Sequence, residues 1–139
     1  MSDANKSLAR KWMEEVWNRG SVGAIDDMMS SRCIVHGLGQ DQDPEAFKAF
    51  HRAFRDAFPD LRVTVDDVVT ENDKVAGRWS GTGTHRGNGL GFPATNKVAH
   101  FTGMFFLRVE NGKFIEGRPP GNLVLNPPRA RPVATRRLT

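Results

Sequence analysis

Four histidines, His36, His51, His85 and His100, carry the chain's capacity for proton transfer at neutral pH, because an unperturbed imidazole titrates at about 6.5. His36 ends the short apolar run Cys33-Ile34-Val35 and precedes Gly37, and His85 closes a glycine-punctuated stretch running back through Gly83, Gly81 and Gly77. Both therefore fall at strand ends, where a side chain reaches a pocket most easily, and both are candidate acids or bases. Each of the four also fits a purely structural role: His51 as a helix-surface residue, His100 as part of a sheet face. No pair or triple of His and Cys has the spacing of a structural zinc site, so no metal is expected. The string Gly87-Asn88-Gly89-Leu90-Gly91 is followed by no helix whose N-terminus could hold a phosphate. A dinucleotide is therefore not expected either.

The elements that must position these side chains follow from periodicity. Leu8, Trp12 and Val16 recur every four residues, with Trp17 widening the stripe and Gly20 available as a stop, which predicts a first helix capped by Ser2 or Asp3. Ser21 can cap a shorter second helix through Val22, Ile25, Met28 and Met29, before a strand over Cys33 to His36. Asp43-Pro44 reads as a cap and first helical position, and Phe47, Phe50, Phe54 and Phe58 then fall three or four residues apart until Pro59. That third helix has a face made almost wholly of phenylalanine. From Leu61 the period becomes two, Glu71-Asn72-Asp73 supplies a turn, and a strand from Lys74 to about His85 alternates Val75, Gly77, Trp79, Gly81 and Gly83 with polar residues. Those glycines are expected to leave room beside Trp79. After a loop over Arg86 to Asn96, a strand from Lys97 to Glu110 turns at Asn111-Gly112 into a last strand, Lys113 to about Gly117. Helices followed by a run of antiparallel strands predict an α+β domain in which three helices cover one face of a curved, cone-shaped antiparallel sheet.

At 139 residues the chain is expected to be one domain, here taken as 1–126, with a loosely ordered basic tail over 127–139. The tail's four arginines, Arg129, Arg131, Arg136 and Arg137, account for the whole net charge of +4, so the body is formally neutral and offers no footprint for a nucleic acid. No apolar run reaches the length that spans a bilayer, and no export signal is read at the N-terminus. One cysteine, Cys33, cannot form an internal disulfide, which fits a reducing compartment. A cytoplasmic protein without nucleic-acid or membrane partners is expected.

Three segments, Ala57-Phe58-Pro59-Asp60-Leu61-Arg62-Val63, Val75 to His85, and Gly103-Met104 with Phe106 to Ile115, resemble the SnoaL-like polyketide cyclases of the nuclear transport factor 2-like superfamily, whose fold is also called cystatin-like. The resemblance implies an apolar pocket under the helices, a homodimer through the outer sheet face, and a cofactor-free intramolecular aldol closure driven by an Asp with nearby histidines. Where that pattern has a Trp and, four residues on, the Asp, this chain has Arg118 and Asn122, and Gly117, Pro119 and Pro120 interrupt what is normally regular strand. An amide has no titratable proton in range, so Asn122 can donate a hydrogen bond but cannot act as the base. Two readings follow. In one, His36 and His85 take over acid and base work, Asn122 or Arg118 is the oxyanion donor, and Phe50, Phe54, Trp79, Met104 and Arg118 bind a small apolar carbonyl compound. In the other, the domain keeps the pocket and the dimer and has lost catalysis. An isomerase using a phenolic donor is disfavoured because the chain has no Tyr, and an epoxide hydrolase triad would have to be forced from Asp66 or Asp67 with Arg78 or Arg108.

Overall fold

The computed structural model describes residues 2–36, 41–91 and 93–118; Asn122, the expected domain boundary at 126 and the basic tail 127–139 lie outside the described residues. Three helical segments and five strands appear in the order α1 (Ser2–Trp12, continued by a π-helical turn over Met13–Asn18), α2 (Val22–Met28), β1 (Met29–Val35), α3 (Pro44–Ala57), β2 (Arg62–Glu71), β3 (Lys74–Thr84), β4 (Val98–Glu110) and β5 (Lys113–Arg118). The α+β class read from the pattern is the class observed.

Local chemistry explains the boundaries. Ser21 Oγ accepts the Ala24 N–H at 3.0 Å to start α2, and Asp43 Oδ1 accepts the Ala46 N–H at 2.9 Å with Pro44 in the first turn of α3. The end of α1 is widened: Arg19 N–H donates to the Glu14 carbonyl at 2.9 Å, five residues back, and Gly20 then takes a φ of 71° that a β-carbon would strain. Asn72 sits at φ 55° between β2 and β3, and Asn111 and Gly112 take φ 55° and 77° between β4 and β5, as two-residue hairpins require.

The sheet order is β1-β5-β4-β3-β2. Four strands are antiparallel, but β1 pairs with β5 in parallel, through Met29↔Phe114, Ile34↔Glu116 and Val35↔Gly117, so the sheet is mixed where an antiparallel one was expected. Periodicity identifies β1 as a strand and carries no information about its partner. Here that partner is the last strand, some eighty residues away in sequence. At the other edge, β2 would expose unpaired backbone groups. The Asn18 side chain covers them, accepting the Val63 N–H at 2.6 Å and donating to the Val63 carbonyl at 3.0 Å.

The core lies between the helices and the inner sheet face. Phe54 of α3 meets Phe58 and Phe101 with ring centroids 5.2 and 5.6 Å apart, and Trp12 of α1 meets Phe114 edge-on at 5.4 Å. On β4 the inward set is Ala99, Phe101, Phe105, Leu107 and Val109, while Val98, Met104 and Phe106 are exposed. The glycines of β3 do not leave open space. The Phe105 ring lies over Gly77 and Phe58 over Gly83, and it is Gly103 on β4 that makes room for the Trp79 indole, 2.7 Å from where a β-carbon would stand.

Candidate functional site

Between the helices and the inner sheet face lies a cavity of about 140 Å³. Trp12, Met13 and Trp17 come from α1 and its π-helical end, Phe47, Phe50 and Phe54 from α3, and Trp79, Phe105, Leu107 and Phe114 from the sheet. Among the described residues, two in the wall carry titratable groups, Cys33 and Arg118. Burial pushes the Cys33 thiol up to about 11, so at neutral pH it is a protonated, inert wall atom. Arg118 ends β5 and is the one charged side chain in the lining.

The five residues expected to contact a ligand, Phe50, Phe54, Trp79, Met104 and Arg118, all contribute to this wall, although most of the Met104 side chain is exposed on the outer face. The two histidines expected to act on it do not. His36 follows the inward Val35, and its ring is held between two carboxylates, with Nδ1 3.0 Å from Asp41 Oδ1 and Nε2 2.8 Å from Glu116 Oε2. A proton on each ring nitrogen is needed to donate to both. His85 is buried against Phe58, at 5.3 Å between ring centroids, and its Nδ1 accepts the Thr95 N–H at 3.3 Å and lies 3.2 Å from Thr95 Oγ1. Its backbone also exchanges hydrogen bonds with Lys97 and Asn96, so His85 ties the 86–97 loop to the end of β3. Asn122 lies outside the described residues.

His51, for which spacing leaves open the phenylalanine face of α3 or the helix surface, is buried, 2% exposed. Its Nε2 donates to the Val16 carbonyl at 2.7 Å, an acceptor on the π-helical turn, and its ring packs on Trp17 at 5.0 Å. Burial holds its pKa below the usual histidine value, the Val16 bond opposing this. His100 is exposed on the outer face of β4.

Sequence reasoning missed Glu116. This carboxylate on β5 accepts from Arg108 Nη1 at 3.0 Å, from His36 at 2.8 Å and from Arg118 Nη2 at 3.3 Å, and the Arg108 and His36 bonds hold its pKa below the ordinary carboxylate value. Arg108 continues the chain of charges to Asp73 at 3.3 Å. Glu116 does not line the cavity; Arg118 does, and so joins the network to it. Spacing alone does not find Glu116: it stands two from both Phe114 and Arg118, and the register shift between Phe114 and Glu116 decides which of them shares its face. Among the described residues no group of three or more His, Cys, Asp or Glu side chains is arranged to hold a metal ion. No described helix is long and apolar enough to cross a membrane.

Helices packed on one face of a five-stranded mixed sheet, with an apolar cavity between them, make an α+β fold of the nuclear transport factor 2-like type. The family model described as SnoaL-like polyketide cyclase matches residues 7–124, and the chain belongs to that family. Solved structures agree on the fold. AclR of Streptomyces galilaeus, a proposed hydroxylase, aligns with a TM-score of 0.74 at 26% identity, covering 87% of this chain and 74% of AclR. A proposed SnoaL-like polyketide cyclase from Jannaschia sp. CCS1 aligns with a TM-score of 0.78 at 23% identity, covering 85% of each chain. IdmH of Streptomyces antibioticus, a proposed polyketide cyclase, aligns at 0.71 and 24% identity, covering 84% of this chain and 89% of IdmH. Among curated proteins none matches the sequence.

Proposed function

We propose that this SnoaL-like protein binds a small, apolar carbonyl compound in the cavity, with its oxygen on the Arg118 guanidinium, and does so without general-base turnover. One observation carries this. All 16 Asp and Glu side chains and all 4 His of the chain lie among the described residues, and none of them lines the cavity. The sequence beyond residue 118 contains no Asp, Glu or His. Removing a proton beside a carbonyl needs such a group within hydrogen-bond reach. A cavity of this size takes a body about as large as benzene.

A second reading is favoured by the contact between Arg118 and Glu116. It puts the His36–Glu116 pair one side chain from the cavity, and makes the protein a cofactor-free cyclase or isomerase whose base enters from the rim. The two separate by α-proton exchange of a bound ketone in D₂O, followed by NMR. Binding with exchange at the buffer rate is expected. Exchange above that rate, abolished in His36→Ala or Glu116→Gln, would replace the binding reading with the catalytic one. His85→Ala is expected to lower stability and leave exchange unchanged. The exposed Met104 and Phe106 on the outer face of β4 support a homodimer through that face, which sedimentation of the wild type against Met104→Glu would test.

A further inference from the structure

Resting on the binding reading, we infer that the ligand is an acid: a small apolar monocarboxylate whose body fills the cavity and whose carboxylate is gripped by Arg118. A guanidinium offers five donors in a planar fork and accepts nothing. Among the described residues Arg118 uses its fork on one partner only, Glu116 Oε2, at a long 3.3 Å. That carboxylate is already served by the shorter bonds from His36 and Arg108. Arg118 is therefore the third and longest donor on an occupied acceptor, and among the described residues it is the charged side chain that lines the cavity.

The other charges nearby do not compete. Arg108 is held by Glu116 and Asp73, His36 by Glu116 and Asp41, and none of these lines the cavity. Seen from inside, the wall is hydrocarbon, three indoles, a protonated thiol and one cation. The Arg118 side chain is 59% exposed, so its attraction for an anion at the cavity rim is screened by solvent and salt, and the preference rests on two parallel N–H···O bonds to a carboxylate exceeding one bond to a neutral carbonyl. The neutral part of the ligand fits by shape; the charge selects acids among bodies of equal size.

The test compares toluene, benzaldehyde and benzoate, which share a ring of suitable size and differ in the polar group, by calorimetry and ligand-observed NMR. Benzoate is expected to bind at least about tenfold more tightly than benzaldehyde, the scale of a charge-assisted hydrogen bond over a neutral one. That margin should shrink as salt is raised, vanish in Arg118→Gln, and survive in part in Arg118→Lys, which keeps the charge and loses the fork. Toluene affinity should be the same in all three proteins, which also shows that the variants are folded. Benzaldehyde binding as well as benzoate would overturn the acid while leaving the pocket reading intact, and so would a benzoate preference that persists in Arg118→Gln. Binding of none of the three would overturn both.

Discussion

Replacing Asn18 with Ala tests whether the helical layer and the open edge of the sheet are joined where the structure joins them. The amide makes two hydrogen bonds to Val63, at 2.6 and 3.0 Å, and a third, to Glu14 at 2.9 Å, on a half-exposed carboxylate. The Glu14 bond contributes little, because water replaces it. Each Val63 bond contributes about 0.5 to 1.5 kcal/mol net, and an N–H left unsatisfied near a buried side chain adds to the loss, so Asn18→Ala should cost about 2 to 3 kcal/mol. For a domain of this size that lowers Tm by roughly 8 to 12 °C. Trp17 and Val63 both line the cavity, so loosening the joint should also weaken ligand binding. Asn18→Asp is the sharper arm: its carboxylate still accepts the Val63 N–H but faces the Val63 carbonyl and Glu14. Its deficit should narrow below about pH 4, where a protonated carboxyl again donates. Differential scanning fluorimetry across pH reads both variants. A Tm drop under about 2 °C for Asn18→Ala would refute the edge-covering role, since it is smaller than one net hydrogen bond.

Other outcomes follow from single residues. Because burial lowers the His51 pKa, the unfolded chain takes up a proton at a higher pH than the fold does; stability is complete above about 6.5 and falls as pH drops below it, and His51→Gln, which can still donate to Val16, should flatten that part of the pH–Tm curve. Native Cys33 should resist iodoacetamide at pH 7.5 and react only on unfolding, because its thiol is 1% exposed and pushed up to about 11. Gly103→Ala places a methyl 2.7 Å from the Trp79 indole, so it should cost about 1 to 3 kcal/mol and shift tryptophan emission. Gly117→Asp would supply the absent base: its β-carbon meets only Leu107 Cδ2 at 3.3 Å and Val35 Cγ2 at 3.8 Å, and an apolar wall raises a carboxyl's pKa toward neutrality. Ketone α-proton exchange above the buffer rate is expected in that variant; a folded, ligand-binding Gly117→Asp without exchange would show that more than a base is lacking.

What the sequence disclosed was local. Caps at Ser21 and Asp43, the phenylalanine face of α3 and the Asn111-Gly112 turn are decided within a few residues, and each stands where periodicity put it. The parallel β1–β5 pairing is decided by residues some eighty positions apart, and no short-range pattern records it. The same limit explains the histidines. A strand end near glycine marks both His36 and His85 as reachable, but which way a terminal side chain turns depends on neighbours supplied by β5 and by the 93–97 segment. Spacing leaves His51 between the phenylalanine face and the helix surface, because its partner, the Val16 carbonyl, lies on the π-helical turn after α1, which periodicity does not reveal.

The sheet's alternation separates two chemistries that an aldol enzyme must bring together. Side chains pointing inward from β3, β4 and β5 are apolar and enclose the cavity, while Asp73, Arg108, Glu116 and His36 are linked to one another away from it. A register shift in the β4–β5 ladder, where Arg108 pairs with Glu116 but Val109 pairs with Phe114, sets the two apart: Phe114 meets Trp12 in the core while Glu116, two residues on, joins the charges outside the cavity. Among the described residues, the charged side chain of β5 that lines the cavity is Arg118, whose backbone pairs with Phe106. Under the proposed function a cation, and none of the carboxylates or imidazoles, meets the ligand, so the chemistry assigned to this wall is recognition of an oxygen.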